Sequence, residues 1–96
     1  MDVRWSPTAF VAATRISNYI SAENPAAGDA VLQAMVDAAD SLAHHPYRHR
    51  NRGGGYRRIP VAHYDYFILY RIRHADDGPY ISIESVRHVA RRPRTR

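Results

Sequence analysis

The sequence predicts one α+β domain, an N-terminal antiparallel helical hairpin packed on a small antiparallel β-sheet. Three observations carry that expectation. Apolar residues recur every three or four positions through the first half of the chain and alternate through much of the second. Two Pro-led helix starts, Ser6-Pro7 and Asn24-Pro25, stand a helix length apart. The 96 residues suffice for one thin core and offer nothing for a second domain, so residues 1–96 read as a single unit.

Each element follows in order. Residues 2–5 (Asp-Val-Arg-Trp) are short and extended, with Val3 and Trp5 on one face if they form a strand. Ser6 is placed to cap the first helix, whose apolar stripe is Ala9, Ala12, Ala13, Ile16, Tyr19 and Ile20. Asn24-Pro25 stops that helix and starts a second, striped by Ala27, Val31, Ala34, Met35, Ala38 and Leu42. His44-His45-Pro46 ends it, because the residue before proline is driven out of the helical region.

Residues 47–55 form a polar, glycine-ended basic connection, expected to be flexible; they lack the Gly-Lys-Ser/Thr ending and following helix of a phosphate loop. Three strands are expected after it, over 56–62, 64–73 and 80–88. Pro60 marks the first as an edge strand. In the second, Tyr66, Ile68, Tyr70 and Ile72 share one face, with Phe67, Leu69, Arg71 and Arg73 on the other. A turn centred on Asp77-Gly78 follows. In the third, Ile81 and Ile83 fall out of phase with Val86, which a bulge near Glu84–Ser85 reconciles.

Composition excludes several classes. There is no cysteine, so disulfide frameworks, thiolate metal sites and cysteine nucleophiles are out. The start lacks a signal-peptide pattern, and no apolar run approaches the ~20 residues that span a bilayer, so a cytoplasmic protein with no membrane partner is expected. All 14 basic residues are arginine. Residues 1–47 hold two arginines against five acids, a formal charge of −3; residues 48–96 hold twelve against four, or +8. Codon bias accounts for the missing lysine but not for confining the positive charge to one half, which points to an acidic partner.

Several local patterns then coincide: Trp5-Ser6-Pro7-x-Ala9; Asn24-Pro25-x-Ala27; Leu42-Ala43-x-x-Pro46; Arg58-Ile59-Pro60-Val61; Tyr66-Phe67-Ile68-Leu69-Tyr70-Arg71-Ile72; and Ile83-x-x-Val86-x-His88-x-Ala90-Arg91. Their order resembles the RelE/ParE superfamily of toxins from type II toxin–antitoxin systems, and especially its ParE-like branch, over nearly the whole chain. The resemblance implies a cognate antitoxin with an acidic or amphipathic C-terminal segment, and hence a hetero-oligomer. In the ParE branch it implies poisoning of DNA gyrase; in the RelE branch, cleavage of messenger RNA on the ribosome.

Metal-independent RNA cleavage needs a base for the 2′-hydroxyl, an acid for the leaving oxygen and cations for the charged phosphorane. The ribonuclease set offered here is His88, Arg57, Arg58 and Arg87. The nuclease branch commonly carries an arginine where this chain has Phe67, and Val89 follows His88 where a tyrosine is often found. An unperturbed histidine pKa of ~6.5 would suit His88 to a general base, but the His-x-Ala-Arg ending is similar to the branch with no catalytic role, which favours a structural histidine at a strand end. The gyrase reading therefore leads, as an inhibitor rather than an enzyme. Its target- or partner-binding residues are Arg48, Arg50, Arg52, Arg57, Arg58, Arg87, Arg91 and Arg92, the last two opening a basic tail over 91–96.

No cofactor or metal is expected. His44, His45 and His49 have no acidic residue at ligand-like spacing, and adjacent histidines at a helix end diverge. Tyr64, Tyr66 and Tyr70 could stack on bases, but Tyr66 and Tyr70 share a face with Ile68 and Ile72, which favours core packing. No Gly-x-Ser-x-Gly motif supports serine catalysis.

Overall fold

The computed structural model describes residues 1–89, running β1 (Asp2–Trp5), α1 (Pro7–Ser21), α2 (Pro25–Ser41), β2 (Arg57–Pro60), β3 (Tyr66–Ala75) and β4 (Gly78–His88). Both helix starts are capped as their sequences imply. Ser6 Oγ accepts from the Ala9 N–H at 3.0 Å and Asn24 Oδ1 from the Ala27 N–H at 3.2 Å, each with proline at the next position.

The sheet has four strands in the order β1-β4-β3-β2. β2, β3 and β4 are antiparallel as expected, but β1 pairs parallel to β4, Val3 opposite Ile81 and Trp5 opposite Ile83, so the sheet is mixed. The reason is topological: both helices, β2 and β3 lie between β1 and β4, so no tight turn imposes an antiparallel direction and the long connection permits a parallel pairing. The hairpin turn is tighter than the sequence suggests, since β3 runs to Ala75 and β4 begins at Gly78, whose φ of 116° suits glycine.

The expected bulge is present. Leu69 lies opposite Ser85 and Tyr70 opposite Ile83, leaving Glu84 as the extra residue. Glu84 and Ser85 therefore both face away from the helices, and Val86 returns to the core beside Ile81 and Ile83.

The helices cover one face only. Ala9, Ala13, Val31, Met35, Ala39 and Leu42 pack on Ile68, Tyr70, Ile81, Ile83 and Val86. The packed faces differ from the expected stripes at two positions. Tyr19 is 82% exposed, its position being rotated off the packed face, and Ala39 is fully buried although the periodicity reading passed over it. At the helix crossing, Ser17 Oγ donates to the Gly28 carbonyl at 3.0 Å, and a Cβ built on Gly28 would lie 1.8 Å from Ser21 Oγ. Glycine is what lets α1 and α2 approach so closely.

Candidate functional site

The sheet face left uncovered by the helices is where the arginines gather. Strand alternation and register place Arg58, Phe67, Leu69, Arg71, Arg73, Ser82 and Arg87 on it, with Glu84 and Ser85 added by the bulge. Arg58 stacks over the Phe67 ring at 4.5 Å and Arg71 over Tyr56 at 4.8 Å; Arg4, from β1, lies 4.2 Å above Tyr80.

Glu84 organises one half of this face. Its Oε2 accepts from Arg73 Nε at 3.0 Å and from Ser82 Oγ at 2.6 Å, with Arg71 Nε at 4.0 Å. Burial alone would raise the Glu84 pKa, but the hydrogen bonds from Arg73 and Ser82 and the positive charge of Arg73 and Arg71 outweigh it and hold the carboxyl below its ordinary value. Arg73 is raised in turn by the same hydrogen bond.

The other half is a recess of about 650 Å³ lined by Arg52, Arg58 and Arg87, by Leu69 and Tyr56, by Ser6 and Thr8 of the α1 N-terminus, and by Glu84 and Ser85 of the bulge, which it shares with the first half. Ser6 is fixed to the bulge itself: its N–H donates to the Ile83 carbonyl at 3.0 Å and its Oγ to the Glu84 carbonyl at 3.3 Å.

Arg52 is delivered by a loop that is closed rather than open. Asn51 Oδ1 accepts from the Gly53 and Gly55 N–H groups at 2.8 and 3.2 Å, and the Arg52 N–H donates to the Tyr56 carbonyl at 2.7 Å. Three successive positive φ values, at Gly53, Gly54 and Gly55, make that turn possible.

The candidate residues from the sequence thus fall into groups. Arg52, Arg58 and Arg87 meet at the recess. Arg57 pairs with Tyr70 on the helix-facing side, donating to the His49 carbonyl and lying 5.3 Å over Tyr47. His88 pairs with Tyr66 on that same side, their rings edge to face at 5.0 Å. His88 and Arg57 are therefore on the opposite face from Arg58 and Arg87. Arg48 and Arg50 are exposed in the segment before the loop, while Arg91 and Arg92 lie outside the described residues. Arg71, Arg73 and Glu84 are site residues that the sequence alone does not single out; the strand alternation of β3 and the bulge in β4 are the signals that link all three.

Near Arg57, burial first and then the charge of Arg48 hold the half-buried His49 below the ordinary histidine pKa. Burial pushes the Tyr70 hydroxyl up. Among the described residues, no group of three or more His, Cys, Asp or Glu side chains converges as a metal site would, and no helix is long and apolar enough to cross a membrane.

A family model described as the ParE toxin of type II toxin-antitoxin system, parDE, matches residues 3–93. Among solved structures, one titled the chromosomal ParDE TA system from P. aeruginosa aligns with a TM-score of 0.77 at 17% identity, covering 93% of this chain and 96% of that one. At that identity the likeness speaks for the fold. No curated protein matches the sequence.

Proposed function

This chain belongs to the family of ParE toxins of type II toxin–antitoxin systems, and from that premise we propose that it arrests growth in the cytoplasm by poisoning DNA gyrase until a cognate antitoxin neutralises it. The observation that carries the reading is the family match, which spans nearly the whole chain. The charge distribution supports it. A chain with +8 in its second half suits an antitoxin whose wrapping segment is acidic or amphipathic. The structural neighbour is titled as a ParDE system, and the same assembly with an antitoxin is proposed here.

In this reading the protein is an inhibitor acting through binding. Its working surface comprises Arg52, Arg58 and Arg87 at the recess, with Arg48, Arg50 and Arg57 beside it and Arg91 and Arg92 in the tail. The alternative, a ribosome-dependent messenger RNA endonuclease, would have His88 and Arg57 act with Arg58 and Arg87, from which the sheet separates them.

Induced expression tests the reading. Growth arrest accompanied by gyrase trapped on broken chromosomal DNA, and relieved by co-expression of the neighbouring acidic reading frame, is the expected outcome. Arrest with intact DNA and cleaved messenger RNA would overturn it in favour of the nuclease.

A further inference from the structure

The arginines of the open face divide into two sets by their partners. Arg71 and Arg73 are held by Glu84. Arg52 and Arg87, on the walls of the recess, have no carboxylate partner among the described residues. The bulge creates this division, because it puts Glu84 and Ser85 on the same face: both line the recess, and the Glu84 carboxylate is taken up by Arg73 and Ser82.

The recess carries a further positive end. Pro7 has no N–H, the Ala9 N–H donates to Ser6 Oγ and the Phe10 N–H to the Ser6 carbonyl, which leaves the Thr8 N–H as the first-turn donor of α1 outside these bonds. The guanidiniums of Arg52, Arg58 and Arg87, a helix N-terminus, the Ser85 hydroxyl and the Glu84 side chain, whose carboxylate is engaged by Arg73 and Ser82, thus border one open space of about 650 Å³.

We propose that this recess is a backbone-phosphate site for a nucleic-acid strand, so that the toxin's arginine surface engages DNA directly and not only protein. The proposal deepens the gyrase reading above by naming a partner for the arginine surface, and it rests on that reading for its setting. Guanidinium groups bind phosphate oxygens in bidentate fashion, and a helix N-terminus adds to the same charge preference. The flanks of the recess favour a strand with unpaired bases over an acidic peptide. Exposed Arg58, lying over Phe67, offers a flat cationic plane of the kind on which bases stack. An acidic amphipathic helix would instead need a continuous apolar strip, and the apolar lining here is confined to Leu69 and the Tyr56 ring.

The test is fluorescence anisotropy of the full-length protein with a labelled single-stranded DNA oligonucleotide of mixed sequence, titrated over a range of salt. Binding is expected to weaken with salt. The double variant Arg52→Gln/Arg87→Gln is expected to lose about tenfold in affinity, with a salt slope shallower by about 0.7 for each lost phosphate contact. Arg15→Gln, on α1, is expected to leave both unchanged. Glu84→Gln frees Arg73 and is expected to tighten binding, a change of sign that impaired folding cannot mimic. Loss by Arg15→Gln equal to that of the double variant, or tighter binding of a poly-glutamate peptide than of the oligonucleotide, would overturn the site. Gyrase-dependent DNA cleavage separates the two readings. If cleavage by the wild type occurs but the oligonucleotide does not bind, the recess proposal falls and the gyrase reading stands. If the oligonucleotide binds as described and gyrase is unaffected, the gyrase reading falls and the site stands.

Discussion

Arg73 Nε donates to Glu84 Oε2 at 3.0 Å, and this pair sits where β4 carries its bulge. A carboxylate held below its ordinary pKa in the folded state contributes stability above its unfolded value, and that contribution disappears as pH falls through the folded value. The wild type is therefore expected to lose stability on acidification below about pH 4.3, the unfolded glutamate value, more steeply than Glu84→Gln does. Urea midpoints at a series of acid pH values check this; parallel curves for the two proteins would contradict it.

His49 titrates with the opposite chemistry and the same outward sign. Its folded pKa is lowered by burial and by Arg48, so the unfolded chain takes up the proton first. Stability is expected to fall as pH drops through about 6.5, and His49→Gln is expected to flatten that part of the profile. A second check is an NMR titration, in which the His49 midpoint should rise in Arg48→Gln.

Gly28→Ala is expected to destabilise despite alanine's better helix propensity. The new Cβ would meet Ser21 Oγ at 1.8 Å and the Ser17 carbonyl at 2.7 Å, and overpacking of this kind costs about 1–3 kcal/mol against a propensity gain of about 1. Thermal unfolding should show a lower Tm. Adding Ser21→Ala should recover only part of it, because the backbone carbonyl remains. An unchanged or raised Tm would contradict the close helix contact.

Ser6→Ala removes both the cap on Ala9 and the hydroxyl bond to the Glu84 carbonyl. A lost N-cap costs about 1 kcal/mol, so a measurable fall in the urea midpoint is expected. Because Ser6 joins α1 to the bulge, hydrogen exchange should also quicken around 83–85. Faster exchange confined to α1 would argue against that link.

The elements that local chemistry specifies were legible in the sequence. Ser6-Pro7 and Asn24-Pro25 name their helix starts because a side-chain oxygen and a ring-fixed φ act within three residues. The bulge was legible because Ile81, Ile83 and Val86 cannot share a face without it. What long-range packing decides was not. The parallel pairing of β1 with β4 joins residues about eighty positions apart, and nothing in Asp2–Trp5 encodes direction. Tyr19 fits the helical period yet faces solvent, since periodicity gives an arc and tertiary contact sets its edge. The recess escaped for a similar reason. Its arginines were in view as a basic half, but which of them Glu84 occupies depends on the register of β3 against β4.

We propose, above all, that this toxin poisons gyrase. The most direct test incubates purified gyrase and supercoiled DNA with the full-length protein, then denatures the mixture and looks for linear DNA. Linear DNA is expected only when the toxin is present, and is expected to disappear when the antitoxin is added. Supercoiled DNA left uncut, with protein from the same preparation still arresting growth when expressed, would contradict it.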